Sequence, residues 1–203
     1  PICIYLEGEN CIDMSPAANA SGYNWANALT VVGETYIFGV DGGSLTLINA
    51  GYAFVGKNAV VEIYDAVINT ENVTYDFYDE GMDLYFLDST LNLQAKHGTN
   101  INNSIHFERC EVDITAKNGG IDLSSAVLKA YDSNIRITSI EGNGIYGTGA
   151  SEIYIYSGNM HVDGKNSGIW LYSGGKLYVA GNLLATSART AADKGANTDA
   201  NSC

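Results

Sequence analysis

Apolar residues recur along this chain in pairs, with one residue between the two members of each pair. In residues 153–162, a first pair, Ile153 and Ile155, is followed by a second pair, Met160 and Val162, which starts seven residues after the first. The same arrangement starts again at Leu45, Val61, Leu84, Ile105, Leu128 and Leu177. The steps between successive starts are 16, 23, 21, 23, 25 and 24 residues, so only the first step is irregular.

Each pair predicts a short β-strand, because side chains alternate between the two sides of an extended chain. A three-residue corner with a small middle residue separates the two strands, as in Asp132, Ser133 and Asn134. A third short strand is expected behind glycine, around residues 121, 145 and 169. Two strands, a corner and a third strand per repeat describe one coil of a solenoid, the architecture that repeats of this length typically form.

Stacked coils make their strands parallel, so that equivalent positions 63, 86, 107, 130, 155 and 179 form one inward column. The crossover preference of parallel strands favours a right-handed coil. A helix bundle is excluded by the period of two, and a β-sandwich would need alternating hairpin signals. The sequence therefore predicts an all-β protein, a right-handed parallel β-helix of about seven coils. Residues 1–203 form a single domain, with an irregular N-terminal cap at 1–44, coils at 45–186 and a polar tail at 187–203.

Composition narrows the possible partners. The formal net charge is -13 and the sequence pI is about 4.3, which argues against nucleic acid as a partner. No apolar run approaches the roughly 20 residues that span a bilayer.

The chain opens at Pro1 without a signal-peptide pattern, so we expect a processed mature chain or an excised fragment. Sequons at Asn19, Asn72 and Asn102, together with four cysteines, predict an extracellular or cell-surface location.

The stretch GIYGTGASEIYIYSGNMHVDGKNSGIWLYSGGKLYVAGN resembles the non-catalytic, carbohydrate-binding β-helix domains of microbial surface proteins. These domains belong to the right-handed β-helix superfamily, which also contains pectate lyases and polygalacturonases. The resemblance covers residues 45–186 and implies polysaccharide as a partner. Polygalacturonases would carry Asn-Thr-Asp, Asp-Asp and Gly-His-Gly motifs on successive coils. Here the only Asn-Thr-Asp lies in the polar tail, at residues 197–199, and the other two are absent, so we expect no enzyme activity.

One acidic run is a candidate calcium site. Asp76, Asp79, Glu80 and Asp83 lie within eight residues, and hard cations prefer clustered carboxylates. The run does not fit an EF-hand loop, because Tyr78 occupies a ligand position. The alternative is a solvated acidic loop without a metal. Calcium is the only cofactor that the sequence suggests.

Tyrosines form a candidate binding face on the outward side of the coils. The predicted register places Tyr131, Tyr154, Tyr156 and Tyr178 together, with Trp170 nearby. Such a surface would stack on sugar rings or contact another subunit, because tyrosine combines apolar area with a polar tip. The alternative is that tyrosine simply suits exposed strand positions.

The chain ends suggest how the solenoid is used. Cys3, Cys11 and Cys203 are candidate disulfide partners, whereas Cys110, at a small corner position, is expected to be a buried free thiol. The first piece can cap the stack through a helix start at Ser15 and an apolar anchor in Trp25.

The polar tail cannot cover the last coil. We therefore expect head-to-tail self-association into a fibre, sheath or surface layer as a non-catalytic structural role. The alternative is a carbohydrate-binding module or adhesin that uses the tyrosine face.

Overall fold

A computed structural model of the chain describes residues 1–15, 26–188 and 196–198, the last of these as backbone only. The described residues form nineteen β-strands and no α-helix, so no helix among them could span a membrane. The strands are β1 (Ile2–Asp13), β2 (Asn27–Ile48), β3 (Tyr52–Tyr64), β4 (Val67–Glu71), β5 (Tyr75–Leu87), β6 (Thr90–Ala95), β7 (Thr99–Ile101), β8 (Ser104–Glu108), β9 (Glu111–Ala116), β10 (Gly119–Ser124), β11 (Val127–Tyr131), β12 (Ser133–Ser139), β13 (Asn143–Thr148), β14 (Glu152–Ile155), β15 (Gly158–Gly164), β16 (Ile169–Leu171), β17 (Lys176–Val179), β18 (Asn182–Ser187) and β19 (Ala196–Thr198).

The strands stack into a β-solenoid of about seven turns with three parallel faces. The first face contains β8, β11, β14 and β17, and the second contains β4, β6, β9, β12, β15 and β18. The third contains β7, β10, β13, β16 and β19. The long strands β2, β3 and β5 turn from the third face into the first, and β1 and β2 turn from the first into the second. The predicted parallel β-helix is confirmed.

The predicted inward column on the first face is also confirmed. Its members pair rung by rung from Ile63 to Val179. Ile155 is 1 % exposed, but Val179, in the last coil, is 41 % exposed. The column continues toward the N-terminus through Ile37 and Ile4.

The coils begin earlier than residue 45, so the predicted N-terminal cap at 1–44 is wrong for most of its length. β1 pairs in parallel with β2, and Thr35 pairs with Val61 on the first face. Leu45 pairs with Ile68, which places it on the second face. The irregular first step of the repeat therefore came from matching a second-face strand to first-face strands. The predicted helix start and the Trp25 anchor involve residues 16–25, which lie outside the described residues. Of the predicted polar tail, residues 187–188 and 196–198 are described, and the latter form β19, which pairs with β16 on the third face.

The last coil departs from the predicted register by one residue. Leu183, not Leu184, pairs with Met160, and Leu184 lies outward with 55 % exposure. The corner after Val179 is one residue shorter than the corner after Ile155, so the seven-residue spacing does not hold in this coil.

Aromatic residues fill the centre of the stack. Phe54 stacks on Phe77 at 4.8 Å between ring centroids, and Phe86 stacks on Phe107 at 5.4 Å. Phe77 also contacts Phe86 edge to face at 5.5 Å, which joins the third face to the first. All four rings are fully buried, so this region contributes a large share of the hydrophobic stabilisation.

The corners between the first and second faces combine a left-handed residue with a small buried one. Asp88, Arg109 and Asp132 have φ values of 51°, 52° and 46°. The residues that follow them are buried, as the sequence predicted, and they link neighbouring coils. The Ser133 hydroxyl, for example, accepts a hydrogen bond from the backbone N–H of Cys110 at 3.0 Å.

Asparagine side chains form three hydrogen-bonded ladders along the coils. In the longest, Asn182 donates to Asn159 at 3.0 Å, Asn159 to Asn134 at 2.7 Å, and Asn134 to the Glu111 carboxylate at 2.6 Å. The second ladder runs from Asn92 through Asn69 to Thr46, and the third from Asn72 through Asn49 to the Asp13 carboxylate. In every ladder the amide N–H groups donate toward the lower-numbered coil.

Candidate functional site

The predicted calcium ligands do not converge. Asp76 is fully buried inside the solenoid, where its Oδ1 accepts a hydrogen bond from the Thr70 hydroxyl at 2.5 Å. The other carboxylate oxygen, Oδ2, has no hydrogen-bond partner among the described residues. Burial raises the pKa of Asp76 to about 7, and the Thr70 hydrogen bond opposes this only in part.

Asp79 is a second inward carboxylate, but it is bound to the backbone. Its Oδ2 accepts the N–H groups of Asn102 at 2.7 Å and Asn103 at 3.0 Å, and its Oδ1 accepts the N–H of Met82. Burial raises the pKa of this carboxyl group, whereas these hydrogen bonds lower it. Asp79 therefore secures the start of the next coil rather than facing a ligand.

The other two predicted calcium ligands face outward. Glu80 is exposed and lies 3.8 Å from Lys57, and Asp83 accepts a hydrogen bond from the Ser104 hydroxyl at 2.5 Å. No group of three or more His, Cys, Asp or Glu residues in the described ranges could hold a metal ion. The predicted calcium site is therefore wrong, because strand β5 points two of its acids inward and two outward.

The four predicted tyrosines do lie together on the first face, in an aromatic strip. Tyr131 stacks on Tyr156 with ring centroids 4.3 Å apart and planes 9° apart. Tyr154 lies beside Tyr156 at 5.7 Å, also 9° from parallel, and Tyr178 contacts both at about 6 Å. His106 extends the strip beyond Tyr131 at 5.0 Å.

Stacking along the axis determines what this strip can do. Because the rings of Tyr131 and Tyr156 cover one another, they present edges and hydroxyl groups to solvent rather than open faces. The Tyr154 hydroxyl donates to Glu152 at 2.6 Å, and Lys176 contacts the same carboxylate at 2.5 Å. The hydrogen bond to Glu152 raises the pKa of Tyr154. Tyr131 and Tyr156 therefore do not form the expected flat platform for a sugar ring.

Trp170 does not belong to this strip. It lies on β16, in the third face, where it contacts Tyr146 edge to face at 5.7 Å between ring centroids. The sequence placed it with the tyrosines because its position between β14 and β17 could not be assigned to a face.

The third face carries a second aromatic group that the sequence analysis missed. Tyr52 stacks on Tyr75 at 5.5 Å, Tyr75 stacks on His97 at 5.0 Å, and Tyr78 tilts against both tyrosines. Burial raises the pKa values of Tyr52 and Tyr75. The spacing of 23 residues between Tyr52 and Tyr75, which equals one coil, was a usable signal.

The second face carries a shallow polar groove of about 400 Å³. Asp113, Arg136 and His161 occupy one outward column in its floor. Arg136 makes no ion pair within the described part of the chain. His161 lies 3.2 Å from Asp163. These side chains offer hydrogen bonds, but no arrangement of nucleophile, base and orienting group is present among them.

The cysteines in the described ranges are free. Cys3 and Cys11 are exposed on β1, and Cys110 is buried, as predicted. Burial raises the pKa of the Cys110 thiol. Cys203 lies outside the described residues, so its predicted disulfide bond with Cys3 or Cys11 stays a prediction.

Comparison with known proteins assigns the chain to no family. Neither the protein-family models, nor the curated proteins, nor the solved structures include a significant match to the chain.

Proposed function

We propose that this protein is a non-catalytic, extracellular structural subunit whose coils stack end to end on those of other copies. One observation carries the proposal: among the described residues, the first-face inward column is buried in the middle of the stack but partly exposed at its first and last members. Ile4 is half-buried in β1 and Val179 is 41 % exposed in β17, whereas Ile37 and Ile155 between them are at most 1 % exposed. Exposed apolar ends of this kind favour association.

Free strand edges support the same proposal. Within the described ranges, no strand pairs with the outer edges of β1, β17 or β18. An edge leaves a row of backbone donors and acceptors available to another chain. Stacked repeats derive much of their stability from such neighbour interfaces, so each end is a template for one more coil.

The register defines the proposed junction. Continuing the first-face columns by one coil places Leu177 beside Ile2 and Val179 beside Ile4 of the next copy. On the second face, Ala185 would meet Ile12. Aliphatic residues therefore meet aliphatic residues at all three positions. Head-to-tail contacts of this kind do not close, so they generate filaments or layers.

The test uses two variants that each block one end. Val179→Lys and Ile2→Lys place a charge where the junction would have to remove it from water, and both sites are exposed enough to leave the fold intact. In sedimentation velocity, the parent chain should form a concentration-dependent series of polymers, and each variant alone should stay monomeric. A mixture of the two variants should form dimers only, because each contributes one intact end.

Ile140→Lys is the matched control. Ile140 is 58 % exposed but lies in the middle of the stack, so this variant should polymerise like the parent. A parent chain that remains monomeric at high concentration would refute the proposal. Polymers that persist in both end variants would place the contact elsewhere.

We also propose that the chain is related to the right-handed β-helix superfamily. The three parallel faces, the coil length and the buried corner residues support this relation. A left-handed coil in an experimental structure would contradict it. Sugar binding at the aromatic strip finds less support, because the rings cover one another.

A further inference from the structure

Two tyrosines of the aromatic strip stack in the same orientation on successive coils. The pairing of β11 with β14 places Tyr131 beside Tyr156 where the first face turns into the second. Their ring planes are 9° apart and their centroids 4.3 Å apart. Burial and a hydrogen bond with the Tyr156 hydroxyl raise the pKa of Tyr131. Because the hydroxyl groups meet and the planes are parallel, the carbon atoms ortho to each hydroxyl lie opposite their counterparts.

These ortho carbons are the positions at which oxidised phenols couple. A phenol that loses one electron and one proton becomes a phenoxyl radical, and its unpaired electron is shared between the oxygen and the ortho carbons. Two such radicals form a carbon–carbon bond when their ortho carbons meet. A protein that holds the two rings in contact removes most of the entropy cost of that encounter. The Tyr131 and Tyr156 pair is therefore arranged for coupling.

Other tyrosine pairs are less well arranged. Tyr154 lies beside Tyr156 on the same coil at 5.7 Å, and its hydroxyl donates to the Glu152 carboxylate at 2.6 Å and not to a phenol. Tyr52 and Tyr75 stack on the third face at 5.5 Å between ring centroids, which is a longer separation. Coupling should thus favour one pair.

We propose that Tyr131 and Tyr156 form a site of oxidative modification, at which a peroxidase joins two neighbouring coils by a dityrosine bond. The oxidant is a haem peroxidase that uses hydrogen peroxide. It takes one electron and one proton from each phenol, and one peroxide is reduced to two water molecules. The ortho carbons form the new bond, and their two hydrogens move to the oxygens, which restores both hydroxyl groups. The chain therefore loses two hydrogen atoms.

The position of the pair suits such a reaction. Tyr131 and Tyr156 are only half-buried, and Tyr178, 5.9 Å from Tyr156, is 52 % exposed, so the oxidant can act from outside the solenoid. The cysteines in the described ranges are free, so this bond would supply a covalent link between coils that disulfides do not. Closing a loop of chain lowers the entropy of the unfolded state and stabilises the fold. Both rings belong to one chain, so the site is independent of end-to-end assembly.

Treatment of dilute protein with a haem peroxidase and hydrogen peroxide tests the site. Mass spectrometry of the denatured monomer should show the loss of two hydrogens, and a digest should contain a cross-linked peptide pair that joins Tyr131 to Tyr156. The cross-linked chain should unfold about 5 °C higher than the untreated chain. Tyr156→Phe keeps a stacked ring but cannot form a phenoxyl radical, so both the cross-link and the rise should be lost.

Tyr172→Phe is the matched control. Tyr172 is 48 % exposed and has no ring contact within the described part of the chain, so this variant should cross-link like the parent. Cross-links spread evenly over many tyrosines, or formed only between chains, would overturn the site. Loss of the cross-link in Tyr172→Phe would also overturn it. An unchanged unfolding temperature of the cross-linked parent would contradict the stabilising role of the bond.

Discussion

The buried carboxyl group of Asp76 makes the stability of the solenoid depend on pH. Its carboxyl group is fully buried and accepts one hydrogen bond from Thr70, while Oδ2 is unpartnered among the described residues. Burial raises its pKa from 3.8 to about 7. The folded state therefore binds this proton more tightly than the unfolded state does. As a result, the contribution of Asp76 to stability is highest below pH 3.8, falls as the pH rises to about 7, and is then constant.

The magnitude follows from the two pKa values. One pKa unit corresponds to about 1.36 kcal/mol, so the ionised form costs the folded state about 4 kcal/mol above pH 7. Asp76→Asn keeps the shape and an oxygen that can accept from Thr70, but it cannot ionise. The variant should therefore gain stability relative to the parent as the pH rises, and the gain should level off near pH 7.

Urea unfolding of both proteins between pH 4 and pH 8 measures this difference. Subtracting the two curves removes the contributions of other titrating groups, including Asp122, whose pKa is also raised by burial. Asp113→Asn, at an exposed position, should follow the parent at every pH. If the free energies of unfolding of Asp76→Asn and the parent ran parallel over this range, Asp76 could not be a buried ionisable group.

Three further outcomes are expected. Ile155→Asp should abolish cooperative thermal unfolding because it buries an unpaired charge at a site 1 % exposed, whereas Tyr154→Asp, one residue away and outward, should remain folded. Iodoacetamide should label Cys3 and Cys11 in the native protein well before Cys110, as followed by peptide mass spectrometry, and equal rates would contradict its burial. Arg109→Gln removes a two-point contact with Asp88 at 2.6 and 2.8 Å, but both groups are nearly half exposed, so chemical denaturation should show only a small loss of stability.

The architecture could be predicted from the sequence because its signal is local and repeated. The alternation of inward and outward residues around Ile153 and Ile155 recurs once per coil, and each recurrence supports the others. Cys110 was predicted to be buried for the same reason, since its equivalents in neighbouring coils are small.

Prediction failed where a polar inward residue or a shorter corner interrupts the repeating pattern of apolar pairs. The coil before Leu45 was missed because its inward positions include Thr35, which is buried but polar. The corner before Leu183 is one residue shorter than the others, so the predicted register of the last coil was wrong by one residue. The spacing of the apolar pairs does not reveal the length of the corner between them. Asp76 and Asp79 were read as exposed acids because sequence alone does not show that the interior supplies Thr70 and backbone N–H groups as partners.

Ring orientation at the candidate sites was also beyond the sequence. Register correctly placed Tyr131, Tyr154, Tyr156 and Tyr178 in adjacent columns. Whether such rings turn their faces or their edges to solvent depends on side-chain torsion angles, which the strand register does not determine.

The asparagine ladders make the two ends of this solenoid chemically different. Every amide donates toward the lower-numbered coil, and two of the three ladders end there on a carboxylate, Glu111 or Asp13. Aligned hydrogen bonds of this kind polarise one another, so each added rung strengthens those before it. In a filament built from such units, the ladders of every subunit would point in the same direction along the axis. Its growth at one end would then differ in rate from growth at the other, as in any polymer of asymmetric subunits.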